Sequence, residues 1–271
     1  MRKHPFRVAI ENGSSADELR KLFAPDVVFW PPMLTKPVTG VGTVLSVVQQ
    51  AVHVAGPLRY SLEVSDCRQT ILFWSGQIGG FALEAATIII DNDDGLISEL
   101  RVVMRPWPVV TLFRNAMHKA LQGVIPEDYW SLGSKPADAQ QLRHFTSIAL
   151  KPIEKAATLT LHSPMLAKSV AGKKEVEEAV GLAHQVQSRS SYTSIIATPE
   201  LIIELFDCDA DGYPMEGIWV QKLNGDGQVD DLTVYLRPYP AVTVLRNRTK
   251  ELAEHQGALR GSEYWELKSP T

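Results

Sequence analysis

The sequence predicts an α+β fold built twice in tandem, and three observations carry that expectation. The stretch Met104-Arg105-Pro106-Trp107-Pro108-Val109-Val110-Thr111 returns almost unchanged as Leu236-Arg237-Pro238-Tyr239-Pro240-Ala241-Val242-Thr243, so that Arg237 follows Arg105 by 132 residues. The same shift, without a gap, pairs Pro32-Met33-Leu34 with Pro164-Met165-Leu166, Gly40 with Gly172, Tyr60 with Tyr192, Glu84 with Glu216 and Asn92 with Asn224. Within each copy, helical spacing comes first and long alternating strands follow, which is the order of an α+β domain. Two copies that each bury a core are a domain duplication, not a solenoid array. The domains are placed at residues 1–133 and 134–271.

Taken in order, Phe6 to Glu11 and Ala16 to Phe23 carry apolar residues at helical spacing, with Ser14 and Ser15 as caps between them. Pro25-Asp26 breaks the second helix, and Val27 to Trp30 reads as a short strand. Behind Gly40, residues Val41, Val44, Leu45, Val48 and Val52 share one helix face. Leu58, Tyr60, Leu62 and Val64 then alternate with polar residues, as in a half-buried strand. Thr70 to Trp74 and Phe81 to Ile90 are strands around a Gly79-Gly80 turn. Asp91 to Gly95 turns into the last strand, Ile97 to Arg105, which Pro106 and Pro108 end before a helix from about Val109 to Leu121. The second copy is read likewise: Gln140 to Phe145, a helix around Lys155, the strand Thr158 to His162, and a helix with Val176, Ala179, Val180 and Ala183 on one face. Tyr129-Trp130 recurs as Tyr264-Trp265, and both pairs are expected to dock against the body of the protein.

Composition narrows the function classes. With 271 residues, 45% apolar, 21% charged and a net charge of −4, the chain is an ordinary globular protein without the basic surplus of a nucleic-acid binder. It has no run of roughly 18 apolar residues that would span a membrane. Arg2 and Lys3 are followed by no apolar stretch and cleavage site, so no secretory signal is expected. Cys67 and Cys208 do not correspond under the repeat, which predicts two free thiols and a cytoplasmic setting. Asp207 to Gly212 opens like a calcium loop, but Ile218 stands where the bidentate Glu belongs; a solvated hairpin tip is expected, and neither metal nor cofactor.

The strand Val27-Val28-Phe29-Trp30-Pro31-Pro32, the glycine-led helix, the meander, and Asp94-Gly95-Leu96-Ile97 running into Arg105-Pro106 together resemble the nuclear transport factor 2-like superfamily, specifically its SnoaL-like domains, once in each half. The resemblance implies a cone of curved antiparallel sheet with helices on one face, enclosing a pocket, and pairing of the halves as an intrachain pseudo-dimer acting as a monomer, or a homodimer. Enzymes of the superfamily (isomerases, dehydratases, polyketide cyclases) commonly use a pocket Asp as general base. At that place this chain has Thr87 and Trp219.

Several residues are candidates for chemistry. Glu84 and Glu216 are equivalent, and serve either as acid or base inside an apolar cone or as solvent-facing carboxylates. Arg105 and Arg237 form either an anion clamp or a structural ion pair. Tyr60 and Tyr192 lie on the apolar face of their strand and either donate to a ligand or pack in the core. His162 and His184 replace Trp30 and Val52 of the first copy, and two imidazoles in one copy alone point to a specialised second cone. The expectation is a pocket there with His162 and Glu216 as the chemical groups and His184, Tyr192, Trp219 and Arg237 around the ligand, Tyr60 and Glu84 being their counterparts in the first copy. The first cone, with Trp30, Trp74 and Val52, is expected to be filled by bulk. Three functions compete: binding of a hydrophobic small molecule, non-catalytic in at least one copy; acid-base isomerase, dehydratase or cyclase chemistry on a steroid- or polyketide-like substrate; and a protein-interaction module using the outer sheet face.

Overall fold

The computed structural model describes residues 3–134, 153–187 and 190–268. It divides into two units, Met1–Met104 with Val109–Ser131, and Arg105–Pro108 with Leu132–Thr271. The first contains helices α1 (Pro5–Glu11) and α2 (Ala16–Arg20), strands β1 (Phe23–Trp30) and β2 (Val38–Thr39), helix α3 (Val41–Ala55), then β3 (Arg59–Asp66), β4 (Gln69–Ile78), β5 (Phe81–Asp91), β6 (Ile97–Arg105) and helix α4 (Trp107–Ala120). β3 to β6 are a meander in sequence order, and β1 lies parallel on β6 with Phe29 opposite Leu100.

The second unit repeats this order with β7 (Lys155–His162), β8 (Val170–Ala171), α5 (Lys173–Val186), β9 (Ser190–Ala197), β10 (Leu201–Ala210), β11 (Tyr213–Leu223), β12 (Val229–Arg237) and α6 (Tyr239–Gln256). β7 lies parallel on β12 with Leu161 opposite Leu232, the register that β1 and β6 show. In each unit the sheet's apolar face packs under the helices. Leu161, Phe206, Val234, Leu236 and Leu245 belong to the core of the second unit.

Residues kept in both copies have local reasons. Asn92 Oδ1 accepts from the backbone N–H of Asp94 and Leu96, and Asn224 Oδ1 from those of Asp226 and Gln228, so each asparagine builds its hairpin turn. Gly40 and Gly172 precede α3 and α5 with φ of 81° and 102°, a region that L side chains avoid. The Arg105–Pro106 and Arg237–Pro238 peptide bonds are both cis. Trp130 and Trp265 are buried, as expected. Arg114 donates to Trp130 O at 2.8 Å and Arg246 to Trp265 O at 2.5 Å, while Lys36 and Lys168 stand over the rings of Tyr129 and Tyr264.

Three expectations of the sequence are corrected. α2 stops at Arg20 and β1 starts at Phe23, because Phe23 and Ala24 are buried and Phe23 pairs with Ile97. Lys155 opens a strand, not a helix, since it stands in register with Val229 of β12 just as Phe23 does with Ile97. Asp207 and Asp209 are buried in β10, and the hairpin tip is only Asp211 and Gly212. The expected helix Gln140 to Phe145 lies outside the described residues.

Candidate functional site

Among the described residues each unit holds a small apolar cavity between sheet and helices, about 50 Å³ in the first and about 40 Å³ in the second. Room for a few waters is far from the several hundred Å³ of a drug-sized site. The expectation that bulk fills the first cone more than the second is therefore not met. An indole has moved rather than vanished: Trp74 and Thr87 of the first unit become Phe206 and Trp219 of the second. In the first, Trp74 Nε1 donates to Thr87 Oγ1 at 2.9 Å, closing that polar pair on itself. In the second, Phe206 and Trp219 face each other with ring centroids 5.9 Å apart.

The alternation of the strands sorts the sequence-predicted residues onto two faces. Trp219 and His184 line the second cavity and Tyr60 the first. Tyr192 stands across from Phe206 and packs against the same core as Trp219. Burial holds the hydroxyls of Tyr60 and Tyr192 above the usual phenol range. Burial, followed by the positive charge of Lys155, holds His184 below the usual imidazole range, so its ring is neutral at pH 7.

His162 and Glu216 do not join them. Leu161 lines the cavity, so its neighbour His162 points to the opposite face of the sheet. Trp219 likewise sends Glu216, three residues earlier, to that outer face, where Arg237 Nη1 donates to Glu216 Oε1 at 3.1 Å. Arg237 is thus engaged in an ion pair, directly across from Glu216 on β11 and β12. Glu84 shares the fate of Glu216, since Thr87 lines the first cavity and Glu84 lies on the other face of β5. The expected pocket of His162 with His184 does not form, because His162 leaves the outer face of the sheet while His184, on α5, lines the cavity on the other side.

Two polar residues that do face the cavity side were missed. Glu204 stands directly across from Trp219 on the neighbouring strand and is only 4% exposed. Its carboxyl is pushed above the usual range by burial, against the opposing pull of a hydrogen bond from Gln221. The first unit has Leu72 and Ile89 where Glu204 and Gln221 stand, both fully buried. Thr249 of α6 lines the second cavity at 1% exposure, and its Oγ1 is buried with no hydrogen-bond partner among the described residues. Its counterpart is Met117, so a methionine that fills space has become an unsatisfied hydroxyl. The signal in the sequence was a replacement of apolar by polar residues at positions of helical and strand cores. Among the described residues, no cluster of His, Cys, Asp and Glu is arranged to hold a metal.

No protein-family model matches the chain, and no curated protein matches it. Solved structures similar to it include an uncharacterised bacterial protein with a cystatin-like fold from Silicibacter pomeroyi, 28% identical, covering 44% of this chain and 86% of that one with a TM-score of 0.41. A steroid delta-isomerase from Pseudomonas aeruginosa is 26% identical over 44% of this chain and 87% of its own, again with a TM-score of 0.41. An NTF2-like protein of unknown function from Cytophaga hutchinsonii is 17% identical over 39% and 88%, with a TM-score of 0.31. Matches of this length, about one unit each, are consistent with two tandem copies of a nuclear transport factor 2-like domain. The helices, first strand, glycine-led helix and curled meander described above are each present twice. No helix among the described residues is long and apolar enough to cross a membrane.

Proposed function

We propose that the second cone of this nuclear transport factor 2-like chain binds a small, mainly apolar molecule that carries one polar group. The observation that carries this reading is the hydroxyl of Thr249, buried in the wall of an apolar cavity with no partner among the described residues. An unsatisfied buried hydroxyl costs about 1–3 kcal/mol, and a ligand oxygen in the cavity relieves that cost. Trp219, Phe206, Leu245 and the neutral ring of His184 supply the apolar walls. At about 40 Å³ the cavity is smaller than such a ligand, so entry moves the wall, with the end of α5 carrying His184 as the part nearest solvent. The first cone, where Met117 fills the corresponding space, is a scaffold copy. The test is a titration with phenol, an apolar ring with one hydroxyl, followed by Trp219 fluorescence and by chemical shifts of the cavity residues. Saturable shifts around Thr249 that vanish in Thr249→Met support the reading; shifts unchanged by that substitution overturn it.

A second reading, acid-base chemistry of the isomerase or dehydratase kind, is favoured by Glu204. A carboxyl raised above the usual range by burial, beside Trp219, is a stronger base than an ordinary carboxylate and is suited to take a proton from carbon. It would make deuterium exchange next to the carbonyl of a small cyclic ketone faster in the wild type than in Glu204→Gln. Equal exchange in both proteins rules this chemistry out.

A further inference from the structure

On the outer face of the second unit, three residues that replace Trp30, Pro37 and Glu99 of the first form a continuous hydrogen-bonded row. Ser169 Oγ lies 2.7 Å from His162 Nδ1, and His162 Nε2 lies 3.1 Å from Asp231 Oδ2. The backbone sets this row. β7 and β8 pair antiparallel with Thr160 opposite Ala171 and Leu161 opposite Val170, which brings Ser169 across from His162. β7 and β12 pair parallel with Thr160 opposite Asp231 and His162 opposite Thr233. Asp231 thus lies on the same face as His162 and one step along the ladder.

The carboxylate is held for one task. Its Oδ1 accepts from Thr233 Oγ1 at 3.4 Å and faces Lys222 Nζ at 3.4 Å, which leaves Oδ2 to the imidazole. A proton on Nε2 is then shared with Asp231, and Nδ1 presents its lone pair to the serine hydroxyl. This is the relation of nucleophile, base and orienting acid that activates a serine, with the two ring nitrogens in exchanged roles. The ring is reachable, with 29% of the His162 side chain exposed, and the row stands apart from the cavity because Leu161 and His162 face opposite ways.

We propose that Ser169, His162 and Asp231 form an esterase-like nucleophilic site for small activated acyl esters. Ser169 Oγ attacks the acyl carbon while its proton passes to His162 Nδ1. The bond to the leaving oxygen breaks, that oxygen takes the proton, and an acyl-serine remains. Water then attacks the acyl-serine, gives its proton to His162, and releases the carboxylic acid as the serine is re-protonated. Ser169 and His162 are the catalytic residues, and Asp231 is a positioning residue.

The full chain is treated with a fluorophosphonate probe, mapped by peptide mass spectrometry, and assayed for hydrolysis of 4-nitrophenyl acetate. The probe is expected on Ser169 and absent from Ser169→Ala, with hydrolysis lowered roughly a hundredfold in His162→Gln. Asp231→Asn, which keeps the shape, is expected to lower the rate and move the midpoint of its pH profile, a shift that a merely structural aspartate does not cause. Melting curves are run beside each variant, and all three substitutions sit at partly exposed positions. An unlabelled wild type, equal labelling of Ser169→Ala, or equal rates in folded His162→Gln overturns the proposal. Loss of phenol binding in Thr249→Met leaves it untouched, so the two sites fail separately.

Discussion

Replacing Thr249 by valine removes one hydroxyl and keeps the branched shape, so it separates polarity from packing at a single position. The orphaned Oγ1 is expected to cost the protein about 1–3 kcal/mol, and Thr249→Val therefore raises the urea midpoint of the second unit. A lowered midpoint would mean that the hydroxyl is satisfied and that the argument for a ligand there has lost its footing. Glu204 gives a second test with a sign. Burial raises its carboxyl above the ordinary range, so the folded state holds the proton more tightly than the unfolded chain. The stability that this group contributes is present below the ordinary carboxylate range, near about 4.3, and is lost as pH rises through the higher folded value. Glu204→Gln has no such loss. Its melting temperature is expected to gain on the wild type steadily as pH climbs from about 4 towards neutrality. A gap that stays constant with pH would show that Glu204 titrates as it does in water.

Elements explain which glycines matter. On β4, a methyl group on Gly76 would sit 2.6 Å from the backbone oxygen of Ala55 at the end of α3, and neither backbone yields easily. Gly76→Ala is therefore expected to destabilise by about 1–3 kcal/mol. Gly181 lies inside α5 with open space around it, and Gly181→Ala should stabilise by about 0.8–1 kcal/mol from helix propensity alone. Chemical unfolding of the two variants should shift in opposite directions; shifts of the same sign contradict this account. At this scale the sequence was a good guide wherever both copies spoke. The repeat marked the meander, the asparagine turns and the docked tryptophans, because each satisfies a need of the backbone or core that recurs in both. It misled at Phe23, whose helical spacing from Ala16 hid a strand partner far along the chain, and at Lys155 for the same reason. The face of His162 was legible, since Leu159 and Leu161 already fixed the inward parity of β7. Glu204 and Thr249 were harder, because whether a buried polar atom finds a partner depends on strands and helices distant in sequence.

At the scale of the whole molecule, duplication leaves two cones of nearly equal free volume but unequal polarity. The first ties its polar pair together through Trp74 and Thr87 and keeps Met117 as filler, whereas the second carries an unsatisfied hydroxyl. Calorimetric titration of the intact chain with phenol is expected to give one site per chain; two equivalent sites would show that the difference between the cones is without effect. The aromatic tails bear on a separate question, that of timing. In the first unit Thr35 takes the Tyr129 carbonyl at 2.8 Å and Arg114 the Trp130 carbonyl at 2.8 Å, so the clasp closes on residues that are all encoded by position 130. The first described strand of the second unit begins at Lys155. At roughly 5–20 residues per second, a ribosome spends on the order of seconds between those two points. The earlier half thus has every partner of its own clasp in hand before any described β-strand of its near-twin has been made, which gives a nascent chain with two similar halves a means of not confusing them.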